Sequence, residues 1–218
     1  DYLEILDEIT KHDANSNVSI KLTQLGLAIS KDLCMENVES ILEKAKENEN
    51  FVYIDMEESA YTEDTIDIYL TMRKKYKNVG VALQAMLYRS ESDLERIIEA
   101  GGTVRIVKGA YKEPKDMAHQ KKKAVDNAYV KLMMRMFAND AIEKGAYAAI
   151  GTHDEHIITL AKIHTVQFGI SKDRFEFQLL YGMGDAIQSA VRHEGYPVRV
   201  YTPLGELIPG MAYLVRRI

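Results

Sequence analysis

Seven times along this chain a short run rich in Val, Ile, Tyr and Phe is followed by a longer stretch whose apolar residues recur at helical spacing. The strand-like runs fall at 19–26, 51–56, 79–86, 103–110, 146–152, 175–180 and 198–202. The helical patterns between them fall at 35–48, 62–77, 92–100, 116–144, 156–168 and 186–194. Strict βα alternation leaves two main architectures, a closed (β/α)8 barrel or an open doubly wound sheet. The strand ends decide between them. A barrel gathers its polar groups where every strand finishes, whereas an open sheet gathers its ligand at one crevice. Here nearly every run ends on polar residues: Lys21 and Gln24, Asp55 and Glu57, Gln84, Arg105 and Lys108, Thr152 and His153, Gln178, and Tyr201. That spread favours an α/β fold of the (β/α)8 barrel type. Seven runs are one short of a ring, so we expect an eighth strand before Asp1, and a chain that is a fragment of a longer one.

No Gly/Pro-rich linker interrupts the pattern, and 218 residues with 46% hydrophobic content can bury one large core. A single domain over 1–218 is the expectation. The net charge of −5 argues against a nucleic-acid groove, and the Lys121, Lys122, Lys123 run is expected to be a solvated helix face. Cys34, the sole cysteine, excludes an internal disulfide framework and suits a reducing cytoplasm. No stretch approaches the roughly 18 apolar residues of a spanning helix, and the acidic start is unlike a signal peptide.

The densest candidate site is Arg105-Ile-Val-Lys-Gly-Ala-Tyr111, a strand carrying two cations and broken by Gly109. Desolvated cations require partners, and Asp55, Glu57 or a ligand anion could serve; a purely structural ion pair is the alternative. Asp55 and Lys21 read the same way, as a neutralising pair or as the polar floor for a zwitterion. The Thr152-His-Asp-Glu-His156 segment raises the question of a metal, but no third histidine or cysteine stands at a matching spacing, so no metal is expected. Gly182 and Gly184 bracket a loop with exposed amides. Near the end, Tyr213 precedes Arg216 and Arg217 by three and four residues, which on a helix puts one ring and two guanidiniums on one face. That face fits a small carboxylate, since guanidinium forks bind carboxylates bidentately. There is no nucleophile elbow, no P-loop lysine motif and no GxGxxG.

Taken in order, Ile20-Lys-Leu, Ile54-Asp-Met-Glu-Glu, Leu83-Gln-Ala, the Arg105 to Tyr111 strand, Gly151-Thr-His-Asp, Phe175-Glu-Phe-Gln-Leu-Leu-Tyr-Gly-Met-Gly, Tyr201-Thr-Pro-Leu-Gly and Tyr213-Leu-Val-Arg-Arg resemble the proline dehydrogenase family. The likeness spans nearly the whole chain and is greatest to the monofunctional bacterial enzymes. It implies a distorted (β/α)8 barrel, here lacking its N-terminal strand and the end of its last helix. It also implies noncovalent FAD over the strand C-termini and oxidation of L-proline to Δ1-pyrroline-5-carboxylate by hydride transfer from C5 to N5. Electrons would pass to a quinone, from a cytoplasmic protein peripherally associated with the inner face of the bacterial membrane.

Carried over residue by residue, the resemblance assigns the proline carboxylate to Arg216, Arg217 and Lys21, with Asp55 steadying the lysine. The proline ring is assigned to Tyr111, Leu180, Tyr201 and Tyr213. The cofactor is assigned to Gln84 and Arg105 at the isoalloxazine, and to Val107, Lys108, Gly109, Ala110, Tyr129, Thr152, His153 and Gln178 elsewhere. Arg105, Lys21 and Asp55 form the catalytic set. Lys112 stands where some family members have Trp, which implies a more exposed flavin. Two other readings remain at this point. Lys108 could act as a Schiff-base nucleophile in an aldolase-like barrel, or the barrel could bind an amino acid without catalysis.

Overall fold

The computed structural model describes residues 2–203. Within them, seven strands lie in one sheet: β1 (Val18–Ile20), β2 (Val52–Ile54), β3 (Val79–Gln84), β4 (Thr103–Val107), β5 (Tyr147–Gly151), β6 (Phe175–Leu180) and β7 (Val198–Tyr201). Every neighbouring pair is parallel and the spatial order follows the chain order without reversal. The helices are α1 (Tyr2–Lys11), α2 (Lys31–Glu47), α3 (Thr62–Lys75), α4 (Ser90–Glu99), α5 (Lys122–Met136), α6 (Asn139–Glu143), α7 (Glu155–Gln167) and α8 (Asp185–His193). A sheet wound in sequence order, with crossovers of one hand, carries all its helices on one face and curls away from them.

Contacts across the interior measure that curl. The hydroxyl of Tyr201, on β7, reaches a carboxylate oxygen of Asp55, just after β2, at 3.1 Å. In a flat sheet five strand spacings would separate them by about 24 Å. Arg105 on β4 likewise reaches Ser19 on β1 at 2.7 Å. The fold is a distorted (β/α)8 barrel, of which seven strands are described.

The two faces of the sheet differ in chemistry. Val52, Ile54, Val81, Leu83, Val104, Ile106, Ile150, Phe175 and Phe177 belong to one continuous buried cluster with the helices. The opposite face carries Ser19, Tyr53, Ala82, Arg105, Ala149, Glu176 and Gln178 in register. Ala82 and Ala149 flank Arg105 on the adjoining strands, so small side chains give its guanidinium room.

The expected elements appear in order, with three corrections. The first run forms a strand only over Val18–Ile20, then tightens into a 3₁₀ turn at Leu22–Leu25. Gly26 closes that turn at φ 98°, and the Glu57 carboxylate accepts from the backbone N–H and hydroxyl of Thr23 at 3.0 and 2.6 Å. The helix expected over 116–144 is instead a loop followed by α5 and α6. Residues before 122 are held by an antiparallel bridge between Leu87 and Ala118, and Ala138 leaves the helical region at ψ 145°. α2 begins four residues earlier than its pattern, where the Ser30 hydroxyl accepts from the Leu33 N–H.

Candidate active site

The C-terminal ends of the strands surround a cavity of about 430 Å³, within the range of small-molecule sites. Its floor is a chain of charges. Arg105, 6% exposed, donates from Nη1 to Asp55 Oδ1 at 2.7 Å, from Nη2 to Ser19 Oγ at 2.7 Å and from Nε to Gln178 Oε1 at 2.6 Å. The other Asp55 oxygen accepts from the Lys21 ammonium at 2.5 Å and from the Tyr201 hydroxyl. Burial pushes the Asp55 carboxyl up, but Arg105 and Lys21 outweigh it and hold the group below its usual value. The rings of Tyr53 and Tyr201 lie 4.3 and 5.2 Å from the guanidinium carbon of Arg105, which adds a cation–π attraction on the same cation.

The cavity wall is more apolar, with Met56, Val107, Leu179, Leu180 and Met183 beside Tyr111. Gly109 has φ 112°, and a Cβ there would collide with Met86. At the far rim Lys108 donates to Asp126 and Asp154 at 2.5 and 2.6 Å. Asp154 also caps α7, accepting from the His156 N–H at 3.1 Å. Lys108 holds that carboxyl below its ordinary value; at Asp126, burial acts upward but Lys108 and Lys122 prevail. An ammonium between two carboxylates has the surroundings of a structural charge, not of a neutral amine nucleophile.

His153 connects the rim to β6. Its Nε2 accepts from the Leu180 N–H at 2.9 Å, which requires that nitrogen to be unprotonated, and burial lowers its pKa. His156 points away, exposed on the first turn of α7. The Lys121 to Lys123 run is exposed, and Cys34 is buried with its thiol on the Leu22 carbonyl and pushed up to about 11.

Of the residues singled out from sequence, Lys21, Asp55, Gln84, Arg105, Val107, Lys108, Gly109, Ala110, Tyr111, Thr152, His153, Gln178, Leu180 and Tyr201 all line this one cavity. Tyr129 does not. It is buried between α5 and β4, where its hydroxyl donates to the Ile106 carbonyl at 2.9 Å and supports the strand from behind. Glu57 turns to Thr23 rather than to Arg105. Lys112 is exposed. Tyr213, Arg216 and Arg217 lie outside the described residues. Sequence reasoning passed over Ser19 and Glu176, which hold the floor from below; the period-two pattern of Phe175-Glu-Phe-Gln sets Glu176 on the face of Gln178 but does not mark that face as interior.

A family model described as proline dehydrogenase matches residues 1–218. Over 216 residues the chain is 41% identical to proline dehydrogenase 2 of Bacillus subtilis (strain 168), covering 99% of this chain and 69% of that protein. It is 35% identical over 223 residues to a proline dehydrogenase of Deinococcus radiodurans, covering 70% of that protein. A crystal structure of proline utilization A from Bdellovibrio bacteriovorus, inactivated by N-propargylglycine, is similar with a TM-score of 0.90 at 26% identity. The match covers 99% of this chain and 27% of that one.

Proposed function

The chain belongs to the proline dehydrogenase family, and from that premise we propose that it oxidises L-proline to Δ1-pyrroline-5-carboxylate with FAD at the mouth of the barrel. The observation that carries the reading is the floor of the cavity, a Lys21–Asp55–Arg105 chain buried at Asp55 and Arg105, beside an apolar wall. Proline has one charged end and one apolar edge, and such a cavity offers each of them a matching surface.

The cavity also fits a flavin by the chemistry of its donors. Arg105 and Gln84 can face a polar ring edge, Val107 an apolar face, and Gly109 allows close approach of the backbone. Thr152, His153, Lys108, Ala110 and Gln178 are the remaining cavity residues we assign to it. When bound, FAD supplies the acceptor for the hydride that leaves proline C5.

The chain's own contribution is position and charge. Lys21 binds the substrate carboxylate, and Asp55 keeps Lys21 and Arg105 from repelling each other. Arg105 presents a fixed positive charge where negative charge accumulates, without reorganisation at the moment of reaction. Tyr111, Leu180 and Tyr201 enclose the ring and exclude water. We assign Arg216 and Arg217 to the same carboxylate, with Tyr213 covering the ring, on the sequence resemblance. His153 Nε2 already accepts from the Leu180 N–H, and we assign the amine proton to solvent. The second substrate is a quinone, reached by peripheral association with the inner face of a bacterial membrane. No helix among the described residues is long and apolar enough to span a bilayer.

Reconstitution with FAD, followed by anaerobic addition of L-proline, tests the reading. Bleaching of the visible flavin band is the expected result. Bound flavin that stays oxidised rules out proline as the substrate, and failure to bind flavin rules out the cofactor assignment for this chain.

A further inference from the structure

We propose that Glu176, which lies beneath the cavity and outside its lining, is a positioning residue for Arg105 and acts through Gln178. Glu176 Oε1 accepts from Gln178 Nε2 at 2.6 Å, and Gln178 Oε1 accepts from Arg105 Nε at 2.6 Å. The direction of this relay is fixed by chemistry. A guanidinium only donates and a carboxylate only accepts, so the amide between them satisfies both in one orientation and neither in the other.

Glu176 is held in turn. Its Oε1 also faces Arg199 Nε at 3.2 Å and the Tyr53 hydroxyl at 3.4 Å, and the Tyr53 ring lies against the Arg105 guanidinium. The carboxylate is only 7% exposed, so its acceptors have little water to replace these partners. Anchoring Nε on β6, with Nη1 on Asp55 and Nη2 on Ser19, fixes the plane of the guanidinium. Two of its five N–H donors are left over from these three bonds. Without Glu176 the Gln178 amide can turn, and the plane loses its β6 support.

A purely structural role, neutralising Arg199, predicts something different, and three variants separate the two. Glu176→Leu removes the shared acceptor, Glu176→Gln can keep an oxygen at the Oε1 position, and Gln178→Leu removes the link. In ¹⁵N-arginine-labelled protein without cofactor or substrate, the Arg105 Nε–H signal is identified by its loss in Arg105→Lys. We expect its hydrogen exchange to accelerate about tenfold in Glu176→Leu and to stay within about twofold of wild type in Glu176→Gln. In a Gln178→Leu background, Glu176→Leu should add no further acceleration. Glu176→Ala replaces the leucine variant if that one does not fold.

The effect on turnover rests on the proline dehydrogenase reading. With FAD bound, kcat should fall about tenfold in Glu176→Leu and return in Glu176→Gln, while KM for L-proline stays within about twofold. Unchanged Nε–H exchange in a Glu176→Leu protein that is merely less stable overturns the proposal. So does an equal acceleration in the Gln178→Leu background. If the loaded protein does not oxidise proline at all, the functional reading fails, and the exchange measurement still decides the role of Glu176.

Discussion

Asp55 is the residue on which the site's charges depend, because each of its oxygens answers a different cation. Converting it to the neutral isostere leaves Lys21 and Arg105 facing one another in a partly desolvated interior, so Asp55→Asn should cost about 3 kcal/mol of stability at neutral pH. The sign of the pH dependence follows from its depressed pKa in the folded state. The contribution is complete above the unfolded value near 3.9 and is lost as pH falls through the lower folded value. Urea unfolding of both proteins should give a constant gap from about pH 7 to 5 that narrows below about pH 4; a gap that persists unchanged at pH 3 would contradict the ion-pair account. The carboxylate clamp proposed for Arg216 and Arg217 has its own test. Arg216→Ala or Arg217→Ala should raise KM for L-proline by tens-fold, since such a charge-assisted contact is worth roughly 1.5 to 3 kcal/mol. An unchanged KM would remove that clamp. Lys21, Asp55 and Arg105 were legible in the sequence because charges at the ends of apolar runs are anomalous. Glu176 was not, because within Phe175-Glu-Phe-Gln the alternation marks two faces without saying that the second is also interior.

At the scale of elements, the order of strands and helices was legible wherever a run of apolar residues had only one use. It failed where tertiary bonds chose the backbone. Val18 to Leu22 alternates like a strand, yet the Glu57 carboxylate and Gly26 draw Leu22–Leu25 into a 3₁₀ turn, and the loop ahead of α5 is shaped by its bridge to Leu87. Two glycines show the same contrast between packing and local conformation. A Cβ on Gly151 would stand 2.8 Å from the Ile106 carbonyl on the neighbouring strand, whereas Gly145, at φ 84°, has nothing within 4 Å. Gly151→Ala should therefore cost about 2 kcal/mol by forcing β4 and β5 apart, and Gly145→Ala only the left-handed penalty of about 1 kcal/mol. Equal losses in urea midpoint would refute the strand-contact argument. The tie from His153 to the end of β6 is open to titration. Its folded pKa is lowered, so the bond to Leu180 is intact above about pH 6.5 and breaks as pH falls through the lower folded value. The ¹H–¹⁵N signal of Leu180 should move with a midpoint below 6.5, and a signal that ignores pH between 7 and 5 would mean the histidine does not hold that strand end.

On the scale of the whole molecule, the barrel's interior is crossed by side chains rather than filled by apolar layers alone. Tyr201 joins β7 to the end of β2, Arg105 joins β4 to β1 and β6, and Tyr53 joins β2 to Glu176 on β6. Residues at or just beyond the ends of all seven strands line the cavity, from Lys21 after β1 to Tyr201 on β7. A ligand seated there touches the entire sheet at once, so its binding energy should stabilise one cooperative unit and not a single loop. For FAD at 100 times its dissociation constant the gain is about 2.7 kcal/mol. In a chain of this length each kcal/mol raises Tm by about 2 to 4 °C, so differential scanning calorimetry should show one transition moving up by about 5 to 10 °C. Two transitions of which only one moves would mean that the strands do not act as a single domain. A transition that does not respond to FAD at all would mean that the seven strand ends, however well their charges are matched, are not its binding site.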